Sequence, residues 1–345
     1  MKIGQTCAVV FMLTPFNLRF AAALVALPVS ILAASLLSGC GGGGGSSSGG
    51  GGGNPSLPFN EEFNGASLNL SNWGVYGSSQ ELQRTRFGTT PQIITENGVN
   101  FARLTLDTYN PNNSNRFRGT EIYTLNRFPR GNGLEIEARL RGPINQPGIV
   151  FAFFTIYDRY NGASTPANYS KSEIDYEFLT AEQEASKFPP GGQSRRLYLN
   201  VWDDWNEVRD GYDGDDDPTP SRLHDDKTYG LSTFGSNFNW KGWNTYKIRW
   251  YPNKIEYVLN DVVQRTETRI LPDEDMSVHF NIWSGNSSFD QAYSEGFNPT
   301  NEANNQTFNV DVDYLRVRSL SGTTANSAPL QRYEIPAGAK SLRNR

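Results

Sequence analysis

Ser172–Leu179 reads SEIDYEFL, with carboxylates at every second position, Glu173, Asp175 and Glu177, and Ile174, Tyr176 and Phe178 in the gaps. Residues two apart share one face of a strand, so a strand here turns its acids one way and its apolar residues into a core. A helix would also bring Glu173 and Glu177 together, but it would send Asp175 elsewhere, and alternating Ile, Tyr and Phe favour the strand. A merely solvated face would mix Lys, Thr and Ser among its acids, because like charges on one face repel. Three unrelieved acids cost stability, and that cost points to a use.

The same period-two alternation recurs on both sides of this stretch. It is present at 99–107 (VNFARLTLD), 134–142 (LEIEARLRG), 148–158 (GIVFAFFTIYD), 196–204 (RLYLNVWDD), 244–251 (NTYKIRWY), 254–261 (KIEYVLND), 276–284 (MSVHFNIWS) and 308–319 (FNVDVDYLRVRS). These segments are rich in β-branched and aromatic residues and read as strands. YPNK at Tyr251–Lys254 predicts a tight turn, and Leu259–Asp261 predicts the next reversal. Many strands with turn-rich connections and no helical alternation predict an all-β sandwich or jelly roll. The folded part is expected over 57–320, as a single domain, with a loose tail over 321–345.

The first 39 residues are of another kind: Lys2 and Arg19 are their only charges, and Phe20–Leu37 is almost wholly apolar. This reads as an export signal, with an uncleaved membrane anchor as the alternative. It ends in LSGC, Leu37–Cys40, which resembles the lipobox of bacterial lipoproteins and implies lipidation of Cys40. Residues 41–54 are Gly and Ser closed by Asn54, a flexible spacer within the 40–56 linker, with a root-mean-square reach of about 20 Å. The expectation is a protein exported and lipid-anchored to a membrane, on the periplasmic face or the cell surface. The only cysteines are Cys7 and Cys40, so no disulfide is available to a mature domain. Loss of Lys2 and Arg19 with the signal leaves 29 basic against 36 acidic side chains, a net charge of −7. That balance argues against nucleic acid as a partner and is indifferent to an uncharged polymer. A monomer is expected.

The ladder suits one chemistry in particular. Strand residues four apart have Cα atoms about 13 Å apart, and two glutamates leaning together approach the roughly 5 to 5.5 Å carboxyl separation of a retaining glycosidase. Asp175, between them, hydrogen-bonds one glutamate and opposes ionisation of its neighbours, so that one carboxyl stays protonated near neutral pH.

SEIDYEFL resembles the active-site strand of glycoside hydrolase family 16, in the subgroup with a regular strand and the spacing E-x-D-x-E that includes lichenases and xyloglucan endotransglycosylases. The bulged strand of laminarinases, agarases and carrageenases has one more residue before the last Glu, which this chain lacks. Residues 148–158, 242–263, 276–286 and 310–317 fall in the family's order and spacing, so the resemblance spans about Phe59 to Ser319. It implies a concanavalin A-like jelly-roll β-sandwich. It makes Glu173 the nucleophile, Glu177 the general acid/base and Asp175 the residue that tunes and holds them. It also implies substrate contacts from Glu121 and Tyr123, from Asn200 on the strand after the catalytic one, and from Asn281 and Trp283 on a cleft-facing strand. Tyr123 stands where lichenases often carry Arg, and Lys171 where they usually carry Trp. Several family members hold a structural calcium on the convex side through an aspartate of the last strand, a position that Asp313 fits; catalysis itself needs no cofactor.

Sugar rings stack their C–H faces on aromatic side chains, which makes WDDW at Trp202–Trp205 a candidate platform. Trp202 shares the face of Asn200, whereas Trp205 lies at a loop margin. Trp243 and Trp250 are expected in the core. The acidic run Asp210–Asp217 lacks EF-hand spacing and reads as a solvated loop. His224 and His279 have no third ligand motif nearby and are expected to be structural or superficial.

The function these features predict is internal cleavage of a β-glucan-type polysaccharide, β-1,3-1,4-glucan or xyloglucan-like, with retention of configuration. The alternatives are a transglycosylase on the same substrates and a non-catalytic carbohydrate-binding lipoprotein on the same sandwich.

Overall fold

Every segment with sustained alternation of polar and apolar residues becomes a strand. The computed structural model describes residues 57–142, 144–160, 169–183, 196–205, 227–230 and 239–320. Its first strands are short: β1 (Phe59–Glu61), β2 (Trp73–Val75), β3 (Glu81–Leu82), β4 (Thr85–Arg86) and β5 (Gln92–Glu96). β6 (Val99–Asp107), β7 (Phe117–Arg118), β8 (Thr120–Thr124), β9 (Leu134–Arg141) and β10 (Val150–Tyr160) follow. The acidic stretch lies in β11 (Tyr169–Leu179), and after it come β12 (Arg196–Trp205), β13 (Lys227–Gly230) and β14 (Asn244–Tyr251). The chain closes with β15 (Lys254–Leu259), β16 (Val262–Glu267), β17 (Ser277–Trp283) and β18 (Thr307–Ser319). The described helices are single 3-10 turns at Thr180–Gln183 and Glu302–Asn304.

The strands make a two-layer jelly-roll sandwich. One sheet of eleven strands runs β16-β15-β14-β9-β18-β6-β7-β4-β3, with β1 added on β18 and β5 on β6. The other, of seven, runs β13-β12-β11-β10-β17-β8-β2 and carries the acidic ladder. Both expected reversals are hairpin turns: Tyr251 pairs with Lys254 around Pro252-Asn253, and Leu259 pairs with Val262. Asn260 and Asp261 in the second turn both have positive φ, the geometry of a two-residue turn that matches strand twist.

The core lies between the sheets, and the even-numbered residues of the ladder stretch anchor β11 in it. Ile174, Tyr176 and Phe178 are fully buried. Phe178 stacks on Phe151 with ring centroids 4.3 Å apart, and Tyr176 meets Tyr246 and Tyr257 edge-on at 5.4 and 5.3 Å. Burying each large side chain contributes about 1.5 to 3 kcal/mol. The Tyr176 hydroxyl lies 3.0 Å from the carbonyls of Lys247 and Val258 in the opposite sheet. From that sheet the Tyr257 hydroxyl donates to the Asn200 carbonyl at 2.6 Å. These bonds fix β11 and β12 in height above the other layer.

One expectation about the eleven-stranded sheet requires correction. Trp250 is fully buried as expected, but Trp243 is only half-buried, on the sheet's outer face, with the Arg141 and Arg139 guanidinium groups 4.6 and 5.2 Å from its ring centroid. Arginine stems and a cation–π contact cover it in place of core residues. Asp313 is the extra residue of a bulge between Val312 and Tyr314, and Arg139 Nη1 donates to its Oδ2 at 2.6 Å. The carboxylate expected to hold calcium already has its counter-charge, and no cluster of three or more His, Cys, Asp or Glu suited to a metal occurs among the described residues.

Candidate active site

The pairing register sorts the candidate residues into rungs across the outer face of the seven-stranded sheet. Glu177 is paired with Tyr198 on β12 and Ala152 on β10, Ala152 with Asn281 on β17, and Asn281 with Glu121 on β8. In the next rung Asp175 stands between Asn200 and Phe154, followed by His279 and Tyr123. Glu173 stands between Trp202 and Ile156. Side chains on one rung point the same way, so residues far apart in the sequence form one surface.

From Glu173 to Glu177 the ladder is regular against both neighbours, with no bulge inside it. The irregularity falls one step earlier: between Lys171 and Glu173 the register with β12 jumps from Trp205 to Trp202, so β12 carries the extra residue.

Charge is distributed unevenly over the ladder. Asp175 is 3% exposed, and burial first, then the charges of Glu173 and Glu177, push its carboxyl well above the usual carboxylate range. A hydrogen bond to Glu173 acts in the same direction, as expected of a protonated Asp175 donating to an ionised neighbour. Glu177 receives a hydrogen bond from Asn200 Nδ2 at 3.2 Å. Glu173 Oε2 is 2.5 Å from Lys171 Nζ, which also lies 4.4 Å from the centroid of the half-buried Trp202 ring.

The other expected binding residues share this face but differ in access. Glu121 is fully buried, with His279 Nδ1 at 2.9 Å from its Oε1 and Asn281 Nδ2 donating to its Oε2 at 3.3 Å. Its carboxylate orients two neighbours and is not open to a ligand. Tyr123 is 7% and Trp283 4% exposed, both within an apolar cluster that includes Tyr76 and Val150. Tyr123 stacks on His279 at 5.4 Å, and Trp283 lies beside Phe289 at 6.3 Å. Asn200 and Asn281 each retain a buried side-chain oxygen with no hydrogen-bond partner. His279, expected to be structural, is completely buried between Glu121 and Ser277.

Sequence reasoning missed the pairing of Lys171 with Glu173, although their i, i+2 spacing put them on one face. It also passed over Asp158, 4% exposed and paired in register with Lys171; its step of two from Ile156 was the available signal. Cys40, Trp205's side chain, His224 and Asp210–Asp217 lie outside the described residues, as do the segments 1–56 and 321–345.

Comparison with known proteins agrees with this fold. The family model for "Glycosyl hydrolases family 16" matches residues 226–316. A Bacillus licheniformis beta-glucanase structure has TM-score 0.52 and 19% identity, covering 76% of this chain and 98% of that one. A glycoside hydrolase family 16 endo-glucanase from Bacteroides ovatus has TM-score 0.53 and 14% identity, covering 75% and 99%. The catalytic domain of an endo-1,3-beta-glucanase (laminarinase) from Thermotoga petrophila has TM-score 0.50 and 14% identity, covering 75% and 95%. At these identities the structures establish the fold. No curated protein matches this sequence. The family resemblance read from the sequence is matched by the family model over residues 226–316, and the solved structures share the jelly-roll fold.

Proposed function

We propose that this protein is a retaining, endo-acting glycoside hydrolase of β-glucan-type polysaccharides, with Glu173 as nucleophile and Glu177 as general acid/base. The observation that carries this reading is the unbroken ladder in which Asp175 is pushed toward its neutral form between two glutamates held by different partners. In the first step Glu177 protonates the leaving glycosidic oxygen while Glu173 attacks the anomeric carbon. In the second Glu177 takes a proton from water, which displaces Glu173 from the glycosyl-enzyme. Asp175, protonated, donates to Glu173. The step requires no cofactor.

The orphan oxygens of Asn200 and Asn281 support a polyhydroxylated ligand, because buried acceptors are ordinarily satisfied and sugar hydroxyls are donors. The regular spacing favours β-1,3-1,4-glucan or a xyloglucan-like substrate over laminarin. A sugar hydroxyl in place of water would make the same site a transglycosylase. In this reading the protein works as a monomer, exported and tethered through a lipid on Cys40, with the Gly/Ser spacer giving the domain reach from the membrane.

Glu173→Ala is expected to abolish release of reducing ends from soluble β-glucans while the protein stays folded; unchanged turnover would sink the mechanism. A panel of lichenan, xyloglucan, laminarin and cellulose, with linkage analysis of the products, identifies the substrate and separates hydrolysis from transglycosylation.

A further inference from the structure

We propose that Phe289, on the segment between β17 and β18, is the aromatic platform on which a sugar unit of the substrate stacks beside the acid ladder, in place of the Trp283 to which the family resemblance points. The inference rests on the reading of this face as the cleft of a β-glucan hydrolase.

Leu179, Val150 and Trp283 form the rung that follows that of Glu177 on the same face, so Trp283 stands beside the acids. It is only 4% exposed, too little to offer a ring face to a ligand. Phe289 lies against it, with ring centroids 6.3 Å apart and planes 30° from parallel. Among the described aromatic residues of this cluster, Tyr76, Phe87, Tyr123, Tyr198 and Trp283 are buried, and Phe289 is the one that keeps part of its surface open.

A platform binds well when it is already ordered, because fixing a loop on binding costs affinity. Three consecutive residues at the β3–β4 turn hold this one. Gln83 Oε1 accepts from the Asn286 N–H at 2.7 Å, and Thr85 Oγ1 from the Ser284 N–H at 2.8 Å. Arg84, between them, donates through Nε to the Gly285 carbonyl at 2.6 Å, through Nη2 to Ser284 Oγ at 2.9 Å and through Nη1 to the Phe297 carbonyl at 2.9 Å. One guanidinium therefore ties the segment down before and after Phe289. Between these anchors the Phe289 N–H donates to the Asn286 carbonyl, and the Phe289 carbonyl accepts from the Ala292 N–H, both at 3.0 Å. The segment folds back so closely that a Cβ added at Gly285 would come within 2.7 Å of Ala292 Cβ.

A pyranose ring presents apolar C–H faces and a rim of hydroxyls. This corner offers a partner for each: the Phe289 ring for the face and, two residues before Trp283, the unpartnered side-chain oxygen of Asn281 for a hydroxyl.

The test is calorimetric binding of lichenan and of xyloglucan to Glu173→Gln, in which substrate is held without being cleaved, with and without a change at Phe289. Phe289→Ala is expected to weaken binding by about tenfold and, in the otherwise unaltered protein, to raise KM with a much smaller change in kcat. Phe289→Trp, which keeps a ring, should stay within about twofold of its parent, whereas Phe289→Leu should lose most of what Phe289→Ala loses. That contrast separates stacking from apolar bulk, and it serves also if the Ala variant does not fold. Affinity unchanged or tightened in Phe289→Ala overturns the inference; tightening would mean that Phe289 merely covers Trp283. Binding without hydrolysis by the wild type would defeat the proposed function while still judging Phe289, and no binding to either polysaccharide would overturn both.

Discussion

Asn200 Nδ2 donates to Glu177 Oε2 across 3.2 Å from the adjacent strand, in the rung next to that of its acceptor. The Asn200 backbone carbonyl is in turn held at 2.6 Å by the Tyr257 hydroxyl from the opposite sheet. The proposed acid/base is thus aimed by a residue whose own position is set through the core. A donor to the carboxylate favours its ionised form, which Glu177 reaches as acid by giving its proton to the leaving oxygen in the first step and starts from as base in the second.

Asn200→Ala should lower kcat by about tenfold, a part of the roughly 100- to 10,000-fold that general acid–base catalysis contributes. Because Tyr257 bonds the backbone and not the amide side chain, the variant should remain folded. Steady-state kinetics on a soluble β-glucan, with a melting curve beside them, check both parts.

Glu121 illustrates a different dependence. Removing its carboxylate leaves His279 Nδ1 and Asn281 Nδ2 buried without the acceptor they share, at about 1 to 3 kcal/mol for each group. Glu121→Ala should therefore destabilise the fold by about 3 kcal/mol, read from the midpoint of denaturant unfolding. Glu121→Gln, which keeps one acceptor, should lose less. Equal losses would show that the carboxylate does not organise these neighbours.

Gly74 lies opposite Tyr123 in the β2–β8 pairing, and a Cβ added there would come within 2.1 Å of the Tyr123 ring. Tyr123 cannot retreat easily, because Tyr76 and His279 flank it at 5.3 and 5.4 Å. Gly74→Ala is expected to cost about 1 to 3 kcal/mol through overpacking. Tyr123→Phe should be far milder in the same unfolding assay, since the ring is what fills this space.

Much of this arrangement was legible before the structure. All nine alternating segments are strands, because long half-buried strands must write their two faces into the sequence. The two-residue strands β3, β4 and β7 were not foreseen, as a pair of residues has no period to read. Trp243 was misplaced although the signal existed. Counting back from the buried Trp250 in steps of two passes through Ile248, Tyr246 and Asn244, so Trp243 belongs to the outer face. The shared face of the ladder followed from spacing alone. What spacing could not give was access: whether Glu121, Tyr123 and Trp283 are open depends on neighbours brought from other strands. The Lys171–Glu173 pair was hidden for a similar reason, since its closeness depends on Trp202 and the irregularity in β12.

Asp175 gives the sharpest dependence on pH. Its carboxyl is pushed well above the usual range by burial and by Glu173 and Glu177, so the folded protein holds a proton there that the unfolded chain releases at about pH 3.9. Stability rises with pH only where the unfolded state binds more protons; here the folded state binds more, and the sign is reversed. The contribution is fully present below the unfolded pKa and is lost as pH rises through the folded one, at about 1.4 kcal/mol for each unit of displacement. Asp175→Asn replaces the carboxyl by a neutral amide of similar shape that can still donate to Glu173. The variant should match wild type in melting temperature near pH 3.5 and surpass it increasingly toward neutral pH. Melting curves of the two proteins across pH 3.5 to 8 check this, and parallel curves would mean that Asp175 does not hold the ladder's proton.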